Sequence, residues 1–162
     1  MLFYMEFKED VNYVILCSNA DKKFMAQFGN YPVLNNMNFE TLKNNLEMFP
    51  SKRVVFNETL TTLLNHEKKE ILDLLMKQNI HYINITTCAQ DAVLGDYVIV
   101  YDNDNDRVLE GNKEMVLKNE KLLKKLGFGI PFACDLSIQL MYYDVLDKVY
   151  FDVDNLLEAI WN

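Results

Sequence analysis

Short apolar runs separated by polar, helix-spaced stretches organise the first two thirds of the chain. Tyr13-Val-Ile-Leu16 is apolar throughout and rich in strand formers, which predicts a strand buried on both faces and running out into Cys17-Ser-Asn-Ala. Asp21 is placed to cap a helix over Lys22–Phe28 that stops at Gly29-Asn30. Asn35–Asn38 has turn composition, and Phe39, Leu42, Leu46 and Phe49 then recur at helical spacing as far as Pro50. Arg53–Phe56 predicts a second buried strand. A helix starting at Asn65 or His66 presents Ile71, Leu72, Leu74 and Leu75. Ile80–Ile85 and Tyr97–Tyr101 predict two more strands, with Arg107–Leu109 as a short partner across the Asn103-Asp-Asn turn. Such alternation predicts an α/β fold with a mainly parallel sheet covered by helices on both faces.

After Gly111 the pattern is helical only. Glu114–Leu126 is amphipathic and closes at Gly127, Ala133–Leu146 follows Pro131, and Asp154 is placed to cap a last helix, Asn155–Trp161. No internal repeat or low-complexity linker interrupts the chain. The expected organisation is an α/β core over residues 1–112 with a helical extension over 113–162, packed on or beside it as one globular unit.

Ten Phe and nine Tyr supply enough apolar area for a core without disulfides. A formal net charge of −8 repels phosphate backbones and anionic bilayers, so neither nucleic acid nor direct membrane insertion is expected. Cys17, Cys88 and Cys134 stand far apart and the only histidines are His66 and His81, which offers no zinc or redox motif. The first residues, MLFYMEFKED, lack the basic start of a signal peptide, and no run approaches the roughly 20 apolar residues of a membrane span. A cytoplasmic protein is expected. The acidic stretch Asp102–Asp106 has the look of a calcium loop, but Arg107 stands where that loop needs Gly and Lys113 where it needs Glu. A hairpin turn is the expected reading, and no metal site is assigned.

The segment Pro50–Asp73, PSKRVVFNETLTTLLNHEKKEILD, resembles the Walker B region of ABC-type ATPases, with Asn57-Glu58-Thr59-Leu60 at the Asp-Glu-Pro-Thr tetrapeptide. His81–Asn112 resembles that family's switch strand, the following helix and a hairpin ending in Glu-Gly. Asn119–Phe132 and Asp152–Ile160 are similar to the C-terminal helices of the energy-coupling-factor type, the ATPases of cobalt and vitamin importers. The resemblance runs from Phe49 to Trp161 and is poor before Leu42. It implies a sheet of the P-loop NTPase type.

What the resemblance implies for chemistry is loss. In the phosphate-loop pattern G-x-x-x-x-G-K-[ST], Cys17 and Lys22 take the two Gly positions, Lys23 keeps the Lys, and Phe24 replaces the magnesium-binding hydroxyl. Glycines there let backbone N–H groups turn inward onto phosphate, which side chains at those positions obstruct. Asn57 is uncharged where the family's Asp helps hold the metal, and Thr87 stands at the switch His. The Gln-bearing loop and Leu-Ser-Gly-Gly signature of the helical subdomain do not occur between Lys23 and Asn57. Glu58, at the position of the catalytic carboxylate, and Lys23, at the nucleotide-binding position, are vestigial candidates. No catalytic residue, no enzyme activity and no cofactor are expected, ATP and magnesium included.

Met141, Tyr142, Tyr143, Tyr150, Phe151 and Trp161 form an aromatic-rich C-terminal group suited to either core or interface. The family's C-terminal helices contribute to subunit dimerisation. The resemblance therefore implies a contact with itself or another ABC-ATPase-like subunit, and through it with a membrane transporter component. The alternatives are a minimal ATPase completed by a partner, with Lys23 and Glu58 as its own contribution, and a free-standing regulatory or scaffold module.

Overall fold

The computed structural model describes residues 7–34, 38–48 and 52–162. Phe49 and Pro50, and most of the turn expected at Asn35–Asn38, lie outside the described residues.

Strands β1 (Tyr13–Leu16), β2 (Val33–Leu34), β3 (Arg53–Asn57), β4 (His81–Thr86), β5 (Tyr97–Tyr101) and β6 (Arg107–Asn112) form one sheet in the order β2-β3-β4-β1-β5-β6. All neighbours pair in parallel except β5 and β6, which make the antiparallel hairpin. The fold is thus the mainly parallel α/β sheet that the alternation of runs predicts. Full burial of β1 and of most of β3 and β4 explains the apolar runs Tyr13–Leu16 and Val54–Phe56 and the mostly apolar β4, since both faces of these strands are covered.

On one face, Tyr13, Ile15, Val55, Ile83 and Ile85 pack against Phe24 and Phe28. These come from helix α1 (Lys22–Met25) and the 3₁₀ turn Ala26–Phe28 that prolongs it, so the predicted Lys22–Phe28 helix changes pitch halfway. The opposite face carries two clusters. Val54, Phe56 and Tyr82 meet α2 (Phe39–Met48) and α4 (Asn65–Lys77) through Leu42, Leu46, Ile71 and Leu75. Val14, Leu16, Val98 and Val100 meet α5 (Lys113–Leu117), α6 (Glu120–Lys125) and α7 (Phe132–Tyr142) through Val116, Leu117, Leu123, Cys134 and Ile138.

Three helix boundaries differ from the sequence pattern. Glu114–Leu126 is two helices broken at Lys118-Asn119, because Leu117 and Leu123 both enter one core and a continuous helix would point them about 120° apart. Helix α7 stops at Tyr142 rather than Leu146. Asp144, at φ 59, donates its N–H to Met141 O and Val145 donates to Leu140 O, a left-handed closure that ends the helix. Helix α8 (Val153–Trp161) is capped by Asp152, not Asp154: the Asp152 backbone is extended and its carboxylate accepts the Asn155 N–H at 2.8 Å. The two-residue edge strand β2 and the single-turn helix α3 (Thr59–Thr62) are too short to leave a periodic signal.

Candidate functional site

The carboxyl ends of β1, β3 and β4 bring the motif-like residues to one rim of the sheet, which is where parallel α/β proteins place ligands. Because β4 lies between β1 and β3, the Cys17–Phe24 segment and the Asn57-Glu58 pair are two strand spacings apart, about 9.5 Å across the sheet. Two backbone bonds knit this rim, from Cys17 N–H to Thr86 O at 3.1 Å and from Glu58 N–H to Ile85 O at 3.3 Å.

Residues Cys17–Asn19 are engaged by the β5–β6 hairpin. Ser18 Oγ donates to Asn103 Oδ1 at 3.0 Å, Asn105 Nδ2 donates to Asn19 O at 3.0 Å, and the Cys17 thiol reaches Asn105 Oδ1 at 3.5 Å. Within the hairpin, the Asp102 carboxylate accepts the N–H groups of Asp104 and Asp106, and Asn105 takes φ 61. The acidic stretch is therefore a turn folded on its own backbone. Among the described residues, no group of three or more His, Cys, Asp or Glu is arranged to hold a metal ion. Burial pushes the Cys17 thiol up from its ordinary range and the Cys134 thiol up to about 11, so both are poor nucleophiles in the native state.

Asp21 caps α1. Its carboxylate accepts the Phe24 N–H at 2.8 Å and its carbonyl accepts that of Met25. The Phe24 ring is buried, edge-on to Tyr101 at 4.9 Å and to Phe28 at 5.7 Å. Lys22 and Lys23 are exposed on the same short helix. Across the rim, Asn57 is half-buried, while Glu58 and Thr87 are exposed. Glu58 has φ 69, a left-handed conformation that costs a residue with a side chain about 1–2 kcal/mol.

Beside this rim lies a polar network that motif reading does not reach. Lys68 Nζ of α4 meets Asp91 Oδ1 at 2.7 Å, with both groups buried. Asp91 Oδ2 accepts from Thr86 at 3.0 Å and from Thr61 at 3.3 Å, and Thr86 Oγ1 accepts the Cys88 N–H. Asn84, two residues back on the same face of β4, is buried with both amide atoms unpaired. The sequence signal for Lys68 was its place in the buried stripe Lys68, Ile71, Leu75, at helical spacing.

The C-terminal aromatic group divides. Met141 and Phe151 pack against the core, the latter beneath the Lys113 ammonium at 4.9 Å. Tyr150 is half-buried, with its N–H on Ser137 Oγ and Lys148 5.1 Å above its ring. Tyr142, Tyr143 and Trp161 face outward, joined by Val153, Leu157 and Ile160 of α8, aliphatic residues that aromatic composition does not mark. No helix among the described residues is long and apolar enough to cross a membrane.

No family model matches the chain. It is similar to the energy-coupling factor transporter ATP-binding protein EcfA1 of Lactobacillus delbrueckii subsp. bulgaricus, 31% identical over 115 residues that cover 67% of this chain and 40% of that protein. The same-named protein of Clostridioides difficile is 30% identical over 94 residues, covering 56% of this chain and 34% of its own length. That of Caldanaerobacter subterraneus subsp. tengcongensis is 33% identical over 91 residues, covering 54% and 32%. The chain thus matches no more than about two fifths of any of these relatives. Over two thirds of its length, in a parallel-sheet fold of the ABC-ATPase type, this chain is related to the ATP-binding proteins of energy-coupling factor transporters.

Proposed function

We propose that this chain is a catalytically inactive ABC-ATPase-like protein that works through protein–protein contacts, as an accessory or relic subunit of an energy-coupling-factor type importer. The observation that carries the reading is the Asp21 carboxylate on the Phe24 N–H. A phosphate loop aims its first helical N–H groups at phosphate oxygens. Here a side-chain anion already occupies that position, and a second anion brought beside it would be repelled. The Phe24 ring is committed to the core, and Cys17–Asn19 is committed to the hairpin. Asn57 adds no charge for a cation. These residues do not fit a magnesium triphosphate, so no hydrolytic step is derived through one.

The expected result with ATP and magnesium is an unchanged Tm and no phosphate release. Stabilisation of about 2.7 kcal/mol at a hundredfold excess over Kd, together with turnover, would overturn the reading. The partner proposed is a chain that presents a complementary surface to the C-terminal helices and sits with a transporter's membrane component. Co-purification of the chain with such a complex supports this setting, and its isolation as a free module opposes it.

One observation favours a second reading, a minimal ATPase completed by its partner. Glu58 holds strained backbone just past a strand end with its side chain exposed, and such strain concentrates at functional sites. Under that reading Glu58→Gln abolishes turnover by the mixture with an energy-coupling factor ATP-binding protein. Equal turnover by mutant and wild type ends it.

A further inference from the structure

Helix α8 carries more apolar surface than the core uses. Leu156 is buried, but Val153, Leu157, Ile160 and Trp161 recur at i, i+4, i+7 and i+8, which aligns them in one stripe, and all four are exposed, Trp161 by 81%. Exposed apolar surface of this kind marks an interaction site. The charge on α8 itself has one sign, from Asp154, Glu158 and the cap Asp152. Asp144, Asp147, Asp152, Asp154 and Glu158 are opposed in this segment by Lys148 alone, and that ammonium lies over the Tyr150 ring.

A second copy of the chain would set these carboxylates against their own images, on a molecule already at net charge −8. A bilayer is a poor occupant too, because helices that lie in the membrane surface carry Lys and Arg on their polar face and α8 carries neither. We infer that the α8 stripe is a docking surface for a partner's amphipathic helix whose apolar face is flanked by Lys or Arg. Apolar anchors at helical spacing seat the helix, and the acidic surround selects the basic partner. The inference rests on the reading of the chain as a contact subunit and names the chemistry of what it contacts.

Trp161 is the only tryptophan, so its emission reads the stripe directly. A synthetic Leu/Lys amphipathic helix, and a Leu/Glu helix with the same Leu positions, are titrated into the full chain. The Leu/Lys helix is expected to give a saturable blue shift, at least about tenfold tighter than the Leu/Glu helix and weakened by salt. Leu157→Ser with Ile160→Ser abolishes the shift, while the unchanged unfolding midpoint of that variant shows that it is folded. Equal binding of the two helices, binding untouched by the double substitution, or a shift given equally by phosphatidylserine vesicles would overturn the inference. So would a dimer of the chain alone, seen in sedimentation, that the double substitution dissociates. ATP turnover would count against the inactive reading and not against this one, because the titration reads Trp161 alone.

Discussion

The strand-end rim and the terminal helix treat their demanding groups in opposite ways. At the rim, polar groups are spent internally: Asp21 on its helix, Asn103 and Asn105 on the loop after β1, Lys68 on Asp91, and Thr61 and Thr86 on the same carboxylate. At α8, apolar groups are left over, with Val153, Leu157, Ile160 and Trp161 facing water. A site that binds a ligand keeps donors and acceptors open toward it, and a site that binds a protein keeps apolar area open. The motif-bearing end is therefore largely knit on itself, with the buried Asn84 amide beside it left unpaired, while apolar area is left open in a segment that no nucleotide motif marks.

The contrast is broken most directly at Asp91. Asp91→Ala strands the buried Lys68 ammonium and two hydroxyls, and is expected to cost about 3–5 kcal/mol in urea unfolding with the denaturant slope unchanged. A cost below about 1 kcal/mol would mean that water already reaches this network and that the rim is open. Phe24→Ser restores the hydroxyl that a phosphate loop carries there. It is expected to cost about 3 kcal/mol, because it removes a buried ring packed on Phe28 and Tyr101, and to confer no ATP stabilisation while Asp21 holds the Phe24 N–H. Tight ATP binding by this variant would show that one ring was all that closed the cradle.

The parallel sheet was legible because both faces of β1, β3, β4 and β5 are covered, so Tyr13–Leu16 and Tyr97–Tyr101 read as apolar runs, and Arg53–Phe56 and Ile80–Ile85 as runs of strand formers broken only by Arg53, His81 and Asn84. Their order in the sheet was not, since no local pattern tells β4 to lie between β1 and β3. Helix ends were misplaced where a closure depends on one residue in a left-handed conformation, as at Asp144, or on a break that rephases a face, as at Asn119. For the candidate site, residue types located Lys23 and Glu58 at the rim. The cap at Asp21 was legible as well, because it is local, whereas the burial of Lys68 was not, because its partner Asp91 meets it only in the folded chain.

The strain at Glu58 gives a smaller and opposite effect. Glycine takes φ 69 without the Cβ penalty, so Glu58→Gly is expected to stabilise the chain by about 0.5–1 kcal/mol after the extra unfolded-state entropy of Gly. Destabilisation instead would reveal a native role for the side chain. It would reopen the comparison in favour of the rim.

Smallest of all is the expected effect of removing the exposed stripe. Leu157→Ser with Trp161→Ser deletes two large apolar side chains, a change that in a core would cost several kcal/mol. Leu157 is 45% and Trp161 81% exposed in the free chain, so far less buried area is lost on substitution than in a core. Thermal unfolding should therefore move by less than about 0.5 kcal/mol. A large loss would mean that the two side chains brace α8 against α7 and serve the fold. A null effect on stability, beside a strong effect on capture of a basic helix, separates a surface kept for a partner from one kept for packing.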